Sequence, residues 1–219
     1  MSKILALGDC NTLGTASLVG NSYPERCAKA LDKTLSNCGF TMATTNEMLY
    51  FYQDFKEKDT EIILIQYGLA DSWRTFKYAP YVLYYPESKI RKLFRKIVKK
   101  YKKTAKKIGL NRLLGVSNVV NIAVYRNNIR SVIQQSQDCT IILISTIPNL
   151  DTSRNSEIVR YNEVLIQLSE QYENVYYTDV YKDFLNHPEY YLDRTHMNNT
   201  GYTMMAQKIL EVYDQFEQA

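Results

Sequence analysis

The sequence predicts an α/β fold, a three-layer sandwich in which a five-stranded parallel sheet lies between two layers of helices. Three observations carry this reading. The apolar runs are short, continuous and rich in β-branched residues, the pattern of strands buried on both faces. Segments of helical periodicity separate them, and strands alternating with helices close into a parallel sheet through crossovers. At 219 residues, 45% hydrophobic and 23% charged, the chain can fill a full core and is neither disordered nor fibrous.

The elements follow in order. Residues 4–7 form the first strand. Residues 23–37 form the first helix, with Pro24 in its early turn and Gly39 just past its end. Residues 40–45 form a weaker second strand, mostly polar and small. Residues 62–67 form the third strand and the clearest one. In 88–108, Ile90, Leu93, Phe94, Ile97, Val98, Tyr101, Ala105 and Ile108 recur at helical spacing, with basic residues opposite. Residues 117–137 form a helix, 141–145 the fourth strand, 155–172 a helix, 175–178 the fifth strand and 199–217 the last helix. The stretch 72–130 is long for one crossover. It reads as a helical, basic insertion over one end of the sheet, within a single domain spanning 1–219.

No apolar run approaches the roughly 18 residues of a membrane span. The apolar start is too short for a secretory signal and reads as a strand, so a cytoplasmic protein is expected. Cys10, Cys27, Cys38 and Cys139 lack metal-type spacing and are expected to be free thiols. No metal or organic cofactor is implied.

Charge is unevenly placed. The chain has 27 Lys and Arg against 23 Asp and Glu, a net of +4. Residues 88–108 hold eleven Lys and Arg and no acid, leaving 16 basic and 23 acidic residues elsewhere, a net of −7. No recognised nucleic-acid module accompanies the basic segment, so no nucleic-acid partner is expected. An acidic glycan, nucleotide phosphates or an anionic membrane surface would suit its charge, and a solvated outer face is the plain alternative. The wide apolar stripe, with Phe94 and Tyr101, predicts docking onto the protein itself or onto a second copy, a homodimer through the insertion.

Three polar clusters fall just past strand ends. They are Gly8-Asp9-Cys10-Asn11-Thr12-Leu13-Gly14, Gly68-Leu69-Ala70-Asp71 and Asp193-Arg194-Thr195-His196-Met197-Asn198. In an open parallel sheet the carboxyl ends of the strands form the ligand crevice, so segments remote in sequence converge there. Asp193 and His196, three apart, suit a carboxylate that fixes the imidazole tautomer and leaves its other nitrogen as a base. Cys10, before a helix start, suits a nucleophile whose thiolate backbone N–H groups favour. Taken singly, Cys10 reads as a small strand-end residue and His196 as a structural histidine. Their convergence favours catalysis. Asp71-Ser72-Trp73-Arg74 adds Asp71 and Arg74 to the cleft, or else is a helix start capped by Asp71.

The first and last clusters resemble blocks of the GDSL/SGNH hydrolases, Gly-Asp-Ser-x-Thr-x-Gly and Asp-x-x-His. The resemblance covers the chain apart from the 72–130 stretch. It implies a flavodoxin-like α/β/α fold and cleavage or transfer of acyl groups on lipids, carbohydrates or thioesters. It also implies Cys10 as nucleophile, His196 as base and Asp193 as its partner. Three positions depart from the family pattern. Cys10 replaces serine, and a thiolate can still form an acyl-enzyme. Ala70 stands where the third block, Gly-x-Asn-Asp, has its oxyanion-holding asparagine. The stretch Thr44-Thr45-Asn46-Glu47 offers no glycine for the N–H expected after the second strand, although Asn46 carries an amide. Asp9, Gly68, Ala70, Asp71, Asn46 and Arg74 are thus the expected substrate and oxyanion positions around the triad.

Three readings follow: an acyl ester or thioester hydrolase or O-acyltransferase acting through Cys10, a degenerate SGNH-fold protein that binds a saccharide or other ligand in the old cleft, or an enzyme of another class reusing it. Nineteen tyrosines, several in residues 76–86 beside the third cluster, offer flat apolar faces with polar tips that suit sugar rings. Packing of the insertion on the body explains them equally. The expected substrate is a small-molecule or carbohydrate acyl ester.

Overall fold

A computed structural model describes residues 2–217; Met1, Gln218 and Ala219, at the ends of the expected 1–219 domain, lie outside the described residues. Five strands, β1 (Lys3–Gly8), β2 (Thr34–Gly39), β3 (Thr60–Gln66), β6 (Thr140–Ile144) and β7 (Val175–Thr178), pair in parallel in the order β2-β1-β3-β6-β7. This is the flavodoxin-like order, and it reverses direction between β1 and β3. The remaining strands, β4 (Arg74–Phe76) and β5 (Val116–Asn118), form a separate antiparallel pair.

Alternation along the strands sends side chains to opposite faces. Leu5, Leu7, Ile63, Ile65, Ile141 and Leu143 meet α3 (Thr45–Phe55), α6 (Ile122–Gln134) and α7 (Asn155–Ser169) on one face. Ile4, Ala6, Ile62, Leu64, Ile142 and Ile144 meet α2 (Tyr23–Ala30), α8 (Tyr181–Phe184) and α9 (Asn199–Glu217) on the other. The three layers expected from the sequence are present. Two helices stand apart: α4 (Lys89–Lys107) and α5 (Leu110–Leu114), carried on the β4–β5 pair. There buried Phe76 meets the Tyr101 ring edge-on at 5.7 Å.

Three expectations need correction. The second strand is Thr34–Gly39, not 40–45, and the helix before it stops at Ala30 rather than 37. A turn with Asp32 in the left-handed region separates them. As an edge strand, β2 buries only Cys38 and Gly39 fully, so it carries no apolar run to announce it. A further helix, α3, follows where the second strand was expected. Its start is written in Thr44-Thr45-Asn46-Glu47, a capping box in which the Glu47 carboxylate accepts from Thr44 N–H at 2.8 Å. The helix expected at 117–137 is shorter, and α6 runs Ile122–Gln134 with Tyr125, Ile129, Val132 and Ile133 in the core.

A short helix, α1 (Cys10–Leu13), crosses the ends of β1 and β2 at very close range. Gly39 makes that approach possible. A Cβ there would lie 2.6 Å from both Leu13 Cα and Thr12 C, which are backbone atoms that cannot swing aside. Gly39→Ala should therefore lower the unfolding free energy by about 1–3 kcal/mol, read as a reduced urea midpoint at unchanged slope. An unchanged midpoint would show that α1 moves away at no cost.

Candidate active site

The first cluster is built by α1. Asp9 caps it, its Oδ1 accepting from Asn11 N–H at 2.9 Å. Cys10, partly buried, is the first residue of that helix. Thr12 is fully buried and locks the turn: its hydroxyl bonds Tyr23 Oη at 2.8 Å and Gln66 Oε1 at 3.3 Å.

The third cluster forms a tight turn. Asp193 Oδ1 accepts from the N–H groups of Thr195 and His196 at 2.7 and 2.9 Å, and Oδ2 pairs with His196 Nδ1 at 2.7 Å. Nδ1 donates in that pair, which leaves Nε2 as the acceptor. The expected acid–imidazole arrangement is present in this geometry.

Asn11 joins the two clusters. Its Nδ2 donates to Thr195 O at 3.2 Å, and its Oδ1 accepts from Met197 N–H at 3.3 Å. Both bonds flank His196. Asn149 adds a bond from Nδ2 to Thr195 Oγ1 at 3.0 Å, and Leu150 N–H donates to Arg194 O at 2.9 Å. The histidine turn is thus fastened beside Cys10 by the residue next to it in sequence, 184 positions away from Thr195. Among the described residues no hydrogen bond joins Cys10 Sγ to the His196 ring. Sequence reasoning passed over Asn11 and Asn149; an asparagine directly after Cys10 is the signal that marks the first.

The second cluster lies past β3. Gly68 O accepts from Ser72 N–H at 2.9 Å, and Ala70 and Asp71 are buried. Asp71 does not cap its own segment. Its Oδ1 accepts from Thr45 N–H at 2.9 Å and Thr45 Oγ1 at 2.7 Å, so it ties the third-strand loop to the start of α3. Asn46, expected as an oxyanion donor, has its side-chain oxygen bonded by Asn128 Nδ2 at 3.0 Å. Met42, which the sequence reading missed, sits in the left-handed region at φ +64 just after β2, a conformation that glycine adopts most readily.

A cavity of about 400 Å³ opens beside this cluster, lined by Met42, Thr44, Ala70, Trp73, Arg74, Tyr81 and Tyr84, and by Arg95, Val98, Lys99 and Lys102 of α4. Cys10 and His196 do not line it. Arg74 is exposed at its edge. Glu47 fixes the tyrosine segment: its Oε1 accepts from Tyr84 N–H at 2.8 Å and Tyr81 Oη at 2.9 Å. Two of the clustered tyrosines therefore do face the cavity, while Tyr85 stacks on Phe51 at 3.9 Å and Tyr78 is exposed. Among the described residues no group of three or more His, Cys, Asp or Glu is placed to hold a metal ion, and all four cysteines are free.

The model of the GDSL-like lipase/acylhydrolase family matches residues 6–204. Against curated proteins the chain finds no match. Among solved structures it resembles a member of the lipolytic protein G-D-S-L family from Veillonella parvula, at 18% identity and a TM-score of 0.67, covering 98% of this chain and 99% of that one. It also resembles the lipase/acylhydrolase from Enterococcus faecalis, at 17% identity and TM-score 0.63, covering 96% and 94%. A catalytic mutant of an acetylxylan esterase from Geobacillus stearothermophilus aligns at 18% identity and TM-score 0.61, covering 96% and 93%.

Burial dominates the site's electrostatics. It pushes the Cys10 thiol far up, the neighbouring Asp9 charge adds to this, and the N–H groups of Cys10 and Asn11 pull back only in part. Burial thus works against the thiolate expected at a helix start. Partial burial opposes ionisation of Asp193, but the His196 ring and the N–H groups of His196 and Thr195 hold it below its ordinary value. Burial raises Asp9 to about 6 against the bond from Asn11. It raises Asp71 to about 7 against the two bonds from Thr45. Each keeps one buried oxygen, Oδ2, without a hydrogen bond among the described residues.

These two carboxyls hold their protons more tightly folded than unfolded. Their stabilising contribution is full below the ordinary carboxylate pKa and is lost as pH rises through 6 and 7. Asp71→Asn keeps an oxygen for Thr45 and removes one titration. Between about pH 5 and pH 8 the variant should lose less stability than the parent, measured by urea unfolding at both pH values. Parallel losses would mean that Asp71 is ionised throughout.

Proposed function

The chain belongs to the GDSL-like lipase/acylhydrolase family, and from that premise we propose that it hydrolyses or transfers an acyl group through Cys10, His196 and Asp193. The observation that carries this reading is the Asn11 bridge, which fastens the Asp193–His196 pair next to Cys10. Asp193 keeps Nδ1 protonated. Nε2 of His196 takes the thiol proton as Cys10 Sγ attacks the acyl carbonyl carbon. Because burial favours the thiol, attack and proton transfer go together, as for a serine hydroxyl. His196 returns the proton to the leaving alkoxide or thiolate as the carbon–oxygen or carbon–sulfur bond breaks. Water or a hydroxyl acceptor, giving its proton to His196, then attacks the acyl carbon; the carbon–sulfur bond to Cys10 breaks and His196 returns the proton to Sγ.

Cys10 N–H is one donor for the oxyanion. The turn at Met42, rather than Asn46, is the better place for a second, since it follows β2 and borders the same cavity as Ala70. The cavity, with the rings of Trp73, Tyr81 and Tyr84, suits the alcohol portion of the ester, a carbohydrate being the natural ring-bearing substrate. The solved acetylxylan esterase agrees with this substrate class at the level of fold.

Ala70 favours a second reading, a ligand-binding protein that has lost acyl chemistry, because the buried position lacks the amide donor of the third block. Intact-mass spectrometry with p-nitrophenyl acetate separates the two. The parent should carry an acetyl group that Cys10→Ala does not, and His196→Ala should slow acylation by about 10²–10⁴-fold. Equal turnover by Cys10→Ala would eliminate the nucleophile. Restoring the missing donor with Ala70→Asn should raise the rate by about tenfold or more, given that one such donor contributes about 10²–10³ elsewhere. No gain, with the fold intact by circular dichroism, would remove Ala70 from the oxyanion site.

A further inference from the structure

Helix α4 is seated on the wrong edge for its own pattern. At about 100° per residue, its apolar residues Ile90, Leu93, Phe94, Ile97, Tyr101 and Ile108 form one stripe. That stripe faces outward, and all but Tyr101 are more than half exposed. The edge turned to the body lies about a quarter turn away, where Arg91, Arg95, Val98 and Lys102 are partly covered and Ala105 is buried. Two arginines secure it there. Arg91 donates to Pro86 O at 2.6 Å, and Arg95 donates to Leu83 O at 2.9 Å and pairs with Glu87 at 3.1 Å. Leu113 and Leu114 of α5 and Val116 of β5, which follow α4 in the chain, are exposed as well.

The lysines beside the stripe are equally unpartnered. Lys92 pairs with Glu87, but among the described residues the lysines of α4 from Lys96 to Lys107 make no ion pair. Lys96, Lys100, Lys103 and Lys107 are exposed. Whatever covers this face must be apolar and anionic at once. A second copy docked through the same face would bring basic helix against basic helix, because a two-fold interface places like surfaces together. Nucleic acid or an acidic glycan would meet the lysines and leave the leucine, phenylalanine and isoleucines in water.

We propose that α4, extended by α5, is an interfacial helix that binds an anionic lipid surface. It lies in the headgroup plane with its apolar stripe inserted and its lysines on the lipid phosphates. The cavity, one wall of which is α4, would then lie at that surface. This surface is independent of the acyl chemistry and goes beyond it.

Co-sedimentation of the full chain with vesicles tests the proposal. Equimolar phosphatidylcholine–phosphatidylglycerol vesicles should take up at least about tenfold more protein than phosphatidylcholine alone, and high salt should release it. Leu93→Ser with Ile97→Ser, and separately Lys96→Glu with Lys100→Glu, should each reduce uptake to the neutral-vesicle level. All four positions are exposed, so circular dichroism and acylation of Cys10 should be unchanged. Equal uptake by both vesicle types, or uptake unaffected by either pair, overturns the proposal. Sedimentation velocity without lipid showing a dimer that Leu93→Ser with Ile97→Ser dissolves would instead assign the face to a second copy. Capture of an acidic protein with no vesicle uptake would assign it to a protein partner.

Discussion

The site depends on how closely α1 can lie across the ends of β1 and β2. Gly8 and Gly39 pair in register at those ends and carry no side chain, so the helix backbone rests almost on the strands. That contact puts Asn11 and Thr12 fully inside the protein. A buried amide must find partners, and Asn11 finds them on both sides of His196. The catalytic-type pairing is thus a consequence of backbone packing at the switch point of the sheet. Loosening α1 would free Asn11, and with it the turn that holds His196.

The same burial sets the chemistry. A site dry enough to raise Asp9 and Asp71 toward neutrality is also one in which a thiolate is costly. Asp9 adds its own charge to that cost, so the local environment works against the resting thiolate that cysteine usually brings. Under the proposed mechanism Cys10 depends on His196 for its proton as a serine would, and its advantage lies in the attack itself. Asp193 differs from the other two acids because it is exposed rather than buried, so the three bonds of the turn it closes prevail over desolvation. One carboxylate kept charged beside the imidazole and two buried ones pushed up to about 6 and 7 make a division of labour set by burial and by the bonds of the histidine turn.

Much of the fold was legible in the sequence, since central strands β1, β3 and β6 are buried on both faces and must be continuous apolar runs. Edge strand β2 was not, because Thr34, Leu35, Ser36 and Asn37 are only partly covered or exposed, so the chain has no need of an apolar pattern there. Misplacing β2 by six residues hid α3, although Thr44 and Glu47 spell its cap. It also moved the search for the second-strand turn to Asn46, when the left-handed residue is Met42. The Asp193–His196 pair was legible because both members sit within one turn. The Asn11 bridge was not, since a hydrogen bond across 184 residues leaves no local trace.

Helix α4 is where pattern and placement disagree most. Its amphipathic sequence predicted docking through the apolar stripe, yet the stripe is outward and the contacts to the body are made by Arg91, Arg95 and Ala105. Exposing apolar area of that size opposes folding, so the arginine anchors must hold the helix against the tendency of the stripe to turn inward. Turning it inward would leave the rows of Lys96, Lys100, Lys103 and Lys107 in water but break the bonds of Arg91 and Arg95 to the Pro86 and Leu83 carbonyls. The helix therefore rests in the orientation that keeps its arginines bonded, and the apolar face is left for a partner that supplies both hydrocarbon and negative charge.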